Sequence, residues 1–277
     1  MPRVLLIGNH PEVRRALETT QALDGCEILT AAGNVNAVRT ARSRAIDVVV
    51  TDPDTPIDDD LALLEELRAS RPGLKAIVLA PAAAPGEFIA AVRAHVFACF
   101  VAPFDMAEVG DMTRRAIDAV DWHDGICLDS GLPNWISLTV TCRLITAERL
   151  VHFMNEYRRD LADADRDSLM TAFREMLMNA MEHGAGFDPE KVVNVIAVRT
   201  ERAIVYHFRD PGTGFTPGQL ERKALAATEA DPIALIERRA EMGLRPGGFG
   251  ILVAKQFVDE MFYNERGNEV LLIKWLV

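Results

Sequence analysis

Five short apolar runs, at residues 3–8, 26–31, 46–51, 75–80 and 97–101, constrain the fold of this chain more than any other feature. Each is rich in Val, Ile, Leu, Ala or Phe and shows little polar alternation. Strands buried on both faces look like this, because neither face meets water. Between the runs lie segments with helical spacing, such as Leu61, Leu64 and Leu67, or Phe88 and Val92. Helices alternating with doubly buried strands imply a parallel sheet joined by right-handed crossovers. Residues 1–120 therefore read as a five-stranded, doubly wound parallel domain of the α/β class. In such folds a ligand site lies at the carboxyl ends of the strands.

The chain has 277 residues, which at ~150 per domain implies two domains. A composition of 49% hydrophobic and 26% charged residues excludes disorder for most of it. Lys and Arg total 30 against 41 Asp and Glu, and neither half, split at residue 120, is basic. Neutralising phosphates needs clustered Lys and Arg, so we expect no nucleic-acid-binding domain and no polybasic membrane anchor. No apolar stretch approaches the ~18 residues of a membrane span, and the N-terminus lacks the features of a secretory signal. The expected location is the cytoplasm. Cys26, Cys99, Cys127 and Cys142 form no C-x-x-C pair and sit in or beside apolar runs, so they read as buried free thiols.

Asp52 ends the third run, Pro56 follows four residues later, and Pro103-Phe104 follows the fifth run. The segment Asp47-Val-Val-Val-Thr-Asp52-Pro-Asp-Thr-Pro56 resembles the phosphoacceptor segment of response regulator receiver domains. Pro103-Phe104 resembles the end of the Lys-Pro-Phe segment of the same family. The resemblance covers about residues 1–120 and implies Asp52 as the phosphoacceptor. Receivers hold magnesium with paired acidic residues after the first strand; here the chain reads Gly8-Asn9-His10. Their Thr or Ser after the fourth strand is Ala80, and their Lys is Ala102. An acyl phosphate needs a cation to neutralise the incoming charge. The expectation is a degenerate receiver-like domain that does not take up phosphate. Asp58, Asp59 and Asp60 read as the solvated start of a helix, where the dipole favours them.

Residues 121–133 break the alternation. Gly125, Gly131 and Pro133 punctuate a loop, while Trp122, Ile126 and Leu128 imply that this junction is packed. The second domain is placed at residues 134–277. Residues 135–142 alternate with period two, like a half-buried strand. Two helical stretches follow, about 146–161 and 166–184, with Asp167 and Ser168 suiting the cap of the second. Inside the second stand Glu175, Asn179 and His183, each four residues apart and separated by apolar residues. Such spacing places them on one helix face. That stripe is either a site, because buried polar groups need partners, or the solvated face of an amphipathic helix. Residues 192–198 and 203–208 read as a hairpin turning near Glu201 and leading into Asp210-Pro-Gly212-Thr-Gly214. This sets a carboxylate beside a backbone able to bend sharply. Finally, Pro246-Gly247-Gly248-Phe249-Gly250 is a glycine-rich loop opening a helix, where bare amides suit phosphate oxygens.

The three motifs in this order resemble the gyrase and histidine-kinase-like ATPase superfamily, over about residues 134–277. The His183-Gly184 ending and the short domain resemble its serine-kinase anti-sigma-factor branch most. The resemblance implies an α/β sandwich of helices on a mixed sheet, with ATP and magnesium as cofactors. It implies that Asn179 coordinates magnesium and that Glu175 acts as general base. Asp210 would accept from the adenine amino group, Gly212, Gly214, Gly248 and Gly250 would shape the pocket, and residues 216–246 would form a lid. Pro246 stands where many relatives have a glycine. For His183 both a structural role and a phosphate contact remain open.

A sensor histidine kinase would need a helical hairpin carrying a phosphorylatable histidine ahead of this domain, and neither His123 nor His152 is so placed. The expectation is a serine/threonine protein kinase of the anti-sigma type. Its partners would be a sigma factor, an anti-anti-sigma antagonist or another signalling protein, and a homodimer is a further expectation. The alternative is an ATP-gated interaction module without kinase turnover.

Overall fold

Doubly apolar runs pair side by side because only a sheet covered on both faces removes all their side chains from water. In the computed structural model, which describes residues 1–120, 123–215 and 250–276, they form β1 (Arg3–Ile7), β2 (Glu27–Ala31), β3 (Val48–Val50), β4 (Lys75–Ala80) and β5 (Ala98–Val101). All pairings are parallel, in the order β2-β1-β3-β4-β5. The crossovers are α1 (Pro11–Thr19), α2 (Asn34–Ser43), α3 (Ile57–Ser70) and α4 (Pro85–Arg93), and α5 (Met106–Asp118) follows β5. Pro11 and Pro85 open their helices, where a missing N–H costs nothing. Asp105 caps α5 by accepting from the Ala107 amide at 2.8 Å. The strand order reverses between β1 and β3, so Gly8 and Asp52 lie at the switch point where such sheets bind ligands.

The expected solvated run at the start of α3 is corrected at one position. Asp58 and Asp59 are exposed, but Asp60 is only 2% exposed. The helical period turns it inward, near Thr51. Burial raises its pKa from the usual carboxylate range to about 7, assisted by the charges of Asp52 and Asp59.

The chain divides into two compact units, Met1–Asp124 and Gly125–Val277. The second contains β6 (Ile126–Leu132), β7 (Trp135–Thr141), β8 (Val192–Arg199), β9 (Ala203–Arg209), β10 (Glu260–Tyr263) and β11 (Glu269–Trp275). Their order is β10-β11-β9-β8-β7-β6, and every described pairing is antiparallel rather than mixed. One face carries Ile136, Leu138 and Val140 of β7, Val193, Val195 and Ala197 of β8, and Tyr206 and Phe208 of β9, all buried. Helices α6 (Leu144–Tyr157), α7 (Asp163–Asn179) and α8 (Gly250–Phe257) complete the unit. Phe173 of α7 meets Tyr206 at 4.9 Å and Phe208 at 5.0 Å between ring centroids, so α7 lies on the buried face. Helix α8 packs along α7.

Three further readings are corrected. Residues 126–132 form strand β6, paired with β7, where a loop was expected; Gly125 and Pro133 flank it, Gly131 lies within it opposite Ile136, and the register shifts between Leu128 and Ser130 at Asp129. Helix α7 begins at Asp163, so Asp167 and Ser168 lie within it, and the Ser168 hydroxyl donates to the Ala164 carbonyl. Of the cysteines only Cys99 and Cys142 are buried; Cys26 is half-buried and Cys127 is exposed, because β6 alternates its faces.

Candidate functional site

The sequence Met176-Leu-Met-Asn-Ala-Met starts as regular helix and then widens. Helix α7 passes into a π-helical turn, Ala180–Gly184, in which the Ala185 amide donates to the Ala180 carbonyl at 3.1 Å. The wider turn takes His183 out of strict i, i+4 register with Glu175 and Asn179. Both Asn179 and His183 line a cavity of about 350 Å³, together with Gly184, Asp210, Gly214, Gly250, Tyr263 and Asn268. Met176, Phe208 and Phe215 give it apolar walls. A mostly apolar cavity with a few convergent polar groups is the usual form of a small-molecule site.

Glycines make this convergence sterically feasible. A Cβ at Gly250 would lie 2.5 Å from Glu175 Oε2 and 3.6 Å from Asn179 Oδ1, so the start of the described α8 sits directly against those two side chains. A Cβ at Gly184 would lie 2.3 Å from the Asp210 carboxylate. Asp210 Oδ1 accepts from the Gly212 amide at 2.8 Å. Burial pushes the Asp210 carboxyl pKa up, while the Gly212 amide and the Arg266 guanidinium pull it down; the net direction is up. Gly214 has φ +76°, and a Cβ there would lie 1.9 Å from the Arg266 carbonyl oxygen. Phe215 meets Tyr263 edge to face at 4.9 Å, closing one wall. Burial and the Asp210 charge push the Tyr263 phenol up.

The structure thus brings Asn179, His183, Asp210, Gly212, Gly214 and Gly250 together, with Glu175 one turn earlier in α7. Gly248 and the expected lid, residues 216–246, lie outside the described residues. Sequence reasoning missed Tyr263, Gly267 and Asn268. Gly267-Asn268 between two strands is a turn signal, but nothing in it points to a pocket. The residues fit a nucleotide: there is an oxygen ligand at Asn179, a half-buried acceptor at Asp210, and a backbone cradle that side chains would fill. Magnesium prefers oxygen ligands and keeps much of its water, so one amide oxygen with phosphates suits it.

In the first unit Asp52 Oδ1 accepts from the Asp54 amide at 2.9 Å and lies 2.8 Å from His10 Nε2. His10 Nε2 is also 3.3 Å from Asp54 Oδ2. A Cβ at Gly8 would lie 2.2 Å from Asp52 Oδ2, so the carboxylate packs flat on the backbone after β1. An imidazole therefore stands beside Asp52, where receivers supply acidic oxygens to a hard cation.

Comparison with known proteins agrees with both geometries. Residues 140–274 match the histidine kinase-like ATPase domain, and residues 4–114 match the response regulator receiver domain. The transcriptional regulatory protein PrrA of Mycobacterium tuberculosis is 30% identical over 108 residues, which are 39% of this chain and 46% of PrrA. The regulatory protein AtoC of Escherichia coli is 29% identical over 115 residues, 42% of this chain and 25% of AtoC. The chain thus spans less than half the length of these curated relatives. The receiver domain of HemR from Leptospira biflexa aligns with 22% identity and a TM-score of 0.40, over 44% of this chain and 99% of that one. The chain is a receiver domain fused to a histidine kinase-like ATPase domain. That pairing supports a role in ATP-dependent signalling.

Among the described residues, no helix is long and apolar enough to cross a membrane.

Proposed function

We propose that this regulator is an ATP-dependent serine/threonine protein kinase of the anti-sigma type, controlled through protein partners rather than through phosphorylation of Asp52. The observation that carries the reading is the packing of Gly250 against both Glu175 and Asn179, beside a cavity that Asp210 also lines. Asp210 would hold the adenine amino group, and Asn179 would offer its oxygen to magnesium at the phosphates. Magnesium, when bound, neutralises phosphate charge. Glu175 would take the proton of a partner's serine or threonine hydroxyl as that oxygen bonds to the γ-phosphorus. The bond from the γ-phosphorus to the bridging oxygen breaks, and ADP leaves. The partners would be a sigma factor and its antagonist, and the enzyme would work in the cytoplasm as a monomer or a homodimer.

A second reading, an ATP-gated interaction module without turnover, draws support from one feature. Glu175 does not itself line the cavity, although Asn179 does. Incubation with labelled ATP, magnesium and candidate antagonists separates the two. Label on serine or threonine of the partner, lost in Glu175→Ala while ATP binding persists, supports the kinase. ATP-dependent complex formation with no transferred label supports the module.

A further inference from the structure

Asp210 is held by more than the glycines around it. The Asp210 amide donates to the Asn268 carbonyl at 3.0 Å, and Asn268 Nδ2 donates back to the Asp210 carbonyl at 3.1 Å. Asn268 is only 6% exposed. Its Oδ1 accepts from Asn264 Nδ2 at 3.0 Å. Asn264 Oδ1 in turn accepts from the amides of Gly267 at 2.7 Å, Asn268 at 3.1 Å and Glu269 at 3.2 Å. A two-strand connection needs no side chain that reaches across to a neighbouring strand's main chain. This one carries two amides in series that end on the residue facing the base. With Oδ1 already accepting from Gly212, Asp210 has one carboxylate oxygen, Oδ2, without a hydrogen bond among the described residues.

We infer that Asn268, braced by Asn264, is the positioning residue that fixes Asp210 with a single free acceptor oxygen and thereby makes the site select adenine over guanine nucleotides. The inference rests on the reading of the cavity as an ATP pocket. Adenine presents one amino group on its pairing edge beside a ring nitrogen acceptor. Guanine presents two adjacent donors, N1–H and the 2-amino group, which suit both oxygens of a carboxylate that is free to turn. A clamped Asp210 keeps Oδ1 turned to the Gly212 amide and presents Oδ2 alone towards the cavity edge where a base would pair. Without the Asn268 donor, the main chain around Asp210 relaxes and the carboxylate can swing to meet guanine. Adenine binding weakens while guanine binding strengthens or holds.

The test is calorimetric titration of the full chain with ATP and with GTP, each with magnesium, taking both dissociation constants on one preparation. A misfolded fraction lowers the stoichiometry for both nucleotides alike and leaves their affinity ratio unmoved. Asn268→Asp keeps the volume and the Oδ1 acceptor but removes the donor to Asp210; Asn268→Ala removes both. Each is expected to lower the preference for ATP over GTP roughly ten-fold, the worth of about one hydrogen bond. Asn264→Ala is expected to shift it in the same direction by less. An unchanged preference in Asn268→Asp and Asn268→Ala, with ATP bound tightly by the wild type, overturns the positioning role and leaves the ATP pocket standing. A wild type that binds neither nucleotide overturns the pocket and the positioning role together.

Discussion

At the scale of single residues, two carboxylates show how burial sets chemistry. Asp60 has its pKa raised from 3.8 to about 7, so the folded state holds a proton that the unfolded state has released. Its contribution to stability is complete below about pH 4 and is lost as the pH rises through about 7. Asp60→Asn removes the charge and keeps the shape. It is expected to stabilise the first unit at pH 8 by about 1–3 kcal/mol and to give little gain at pH 4. Denaturant melts at the two pH values decide this, and a gain independent of pH would refute the buried charge. Asp52 lies against His10 instead of an acidic pair. Acetyl phosphate with magnesium is therefore expected to add no mass to the protein; an adduct that vanishes in Asp52→Ala would contradict this. In the second unit, Asn179→Ala is expected to abolish magnesium-dependent ATP binding. Asp210→Asn should weaken ATP by roughly ten-fold or more, because a charged acceptor becomes a neutral amide. Calorimetry reads both.

At the scale of elements, the sharpest test is the crossing between the segment after β9 and the β10–β11 connection. Gly214 and Gly267 have φ +76° and +77°, and each would drive a Cβ into the other segment's main chain. Gly214→Ala combines left-handed strain with a backbone clash, so a loss of about 2–4 kcal/mol is expected from chemical unfolding. An unchanged midpoint would show that the two segments separate freely. The crossing also marks where sequence reading stopped. Strands β1 to β5 were legible because unbroken apolar runs have few alternatives in a parallel sheet. The pocket's carboxylate, amide and glycines were legible because their order and spacing are unusual. Strand β6 was not, since Gly125, Gly131 and Pro133 look like loop punctuation even when two of them flank a paired edge strand and Gly131 lies within it. The inward turn of Asp60 was hidden by its neighbours, because three consecutive aspartates read as surface. Asn264 and Asn268 were invisible for a different reason. The Asp210 carbonyl that Asn268 reaches lies 58 residues away in sequence, across strands whose pairing no local pattern specifies, and Asn264 bonds within its own turn.

At the scale of the whole molecule, two units with separate cores imply that a nucleotide acts on one of them first. Ligand at a hundred times its dissociation constant stabilises its binding unit by about 2.7 kcal/mol. Scanning calorimetry with magnesium-ATP is expected to raise the melting of the unit after residue 124 and leave the other unmoved. Equal shifts in both would show that the units unfold as one. The strand order carries a further consequence, in time rather than space. Strand β11 is the last described strand, yet it lies inside the sheet, between β10 and β9, and it follows the connection that holds Asp210. Translation at ~5–20 residues per second leaves on the order of ten seconds between completion of the parallel domain and the appearance of Asn268. During that interval a nascent chain can display a finished receiver while its nucleotide site does not yet exist. A partner of the first domain would therefore find its surface formed before ATP finds its site.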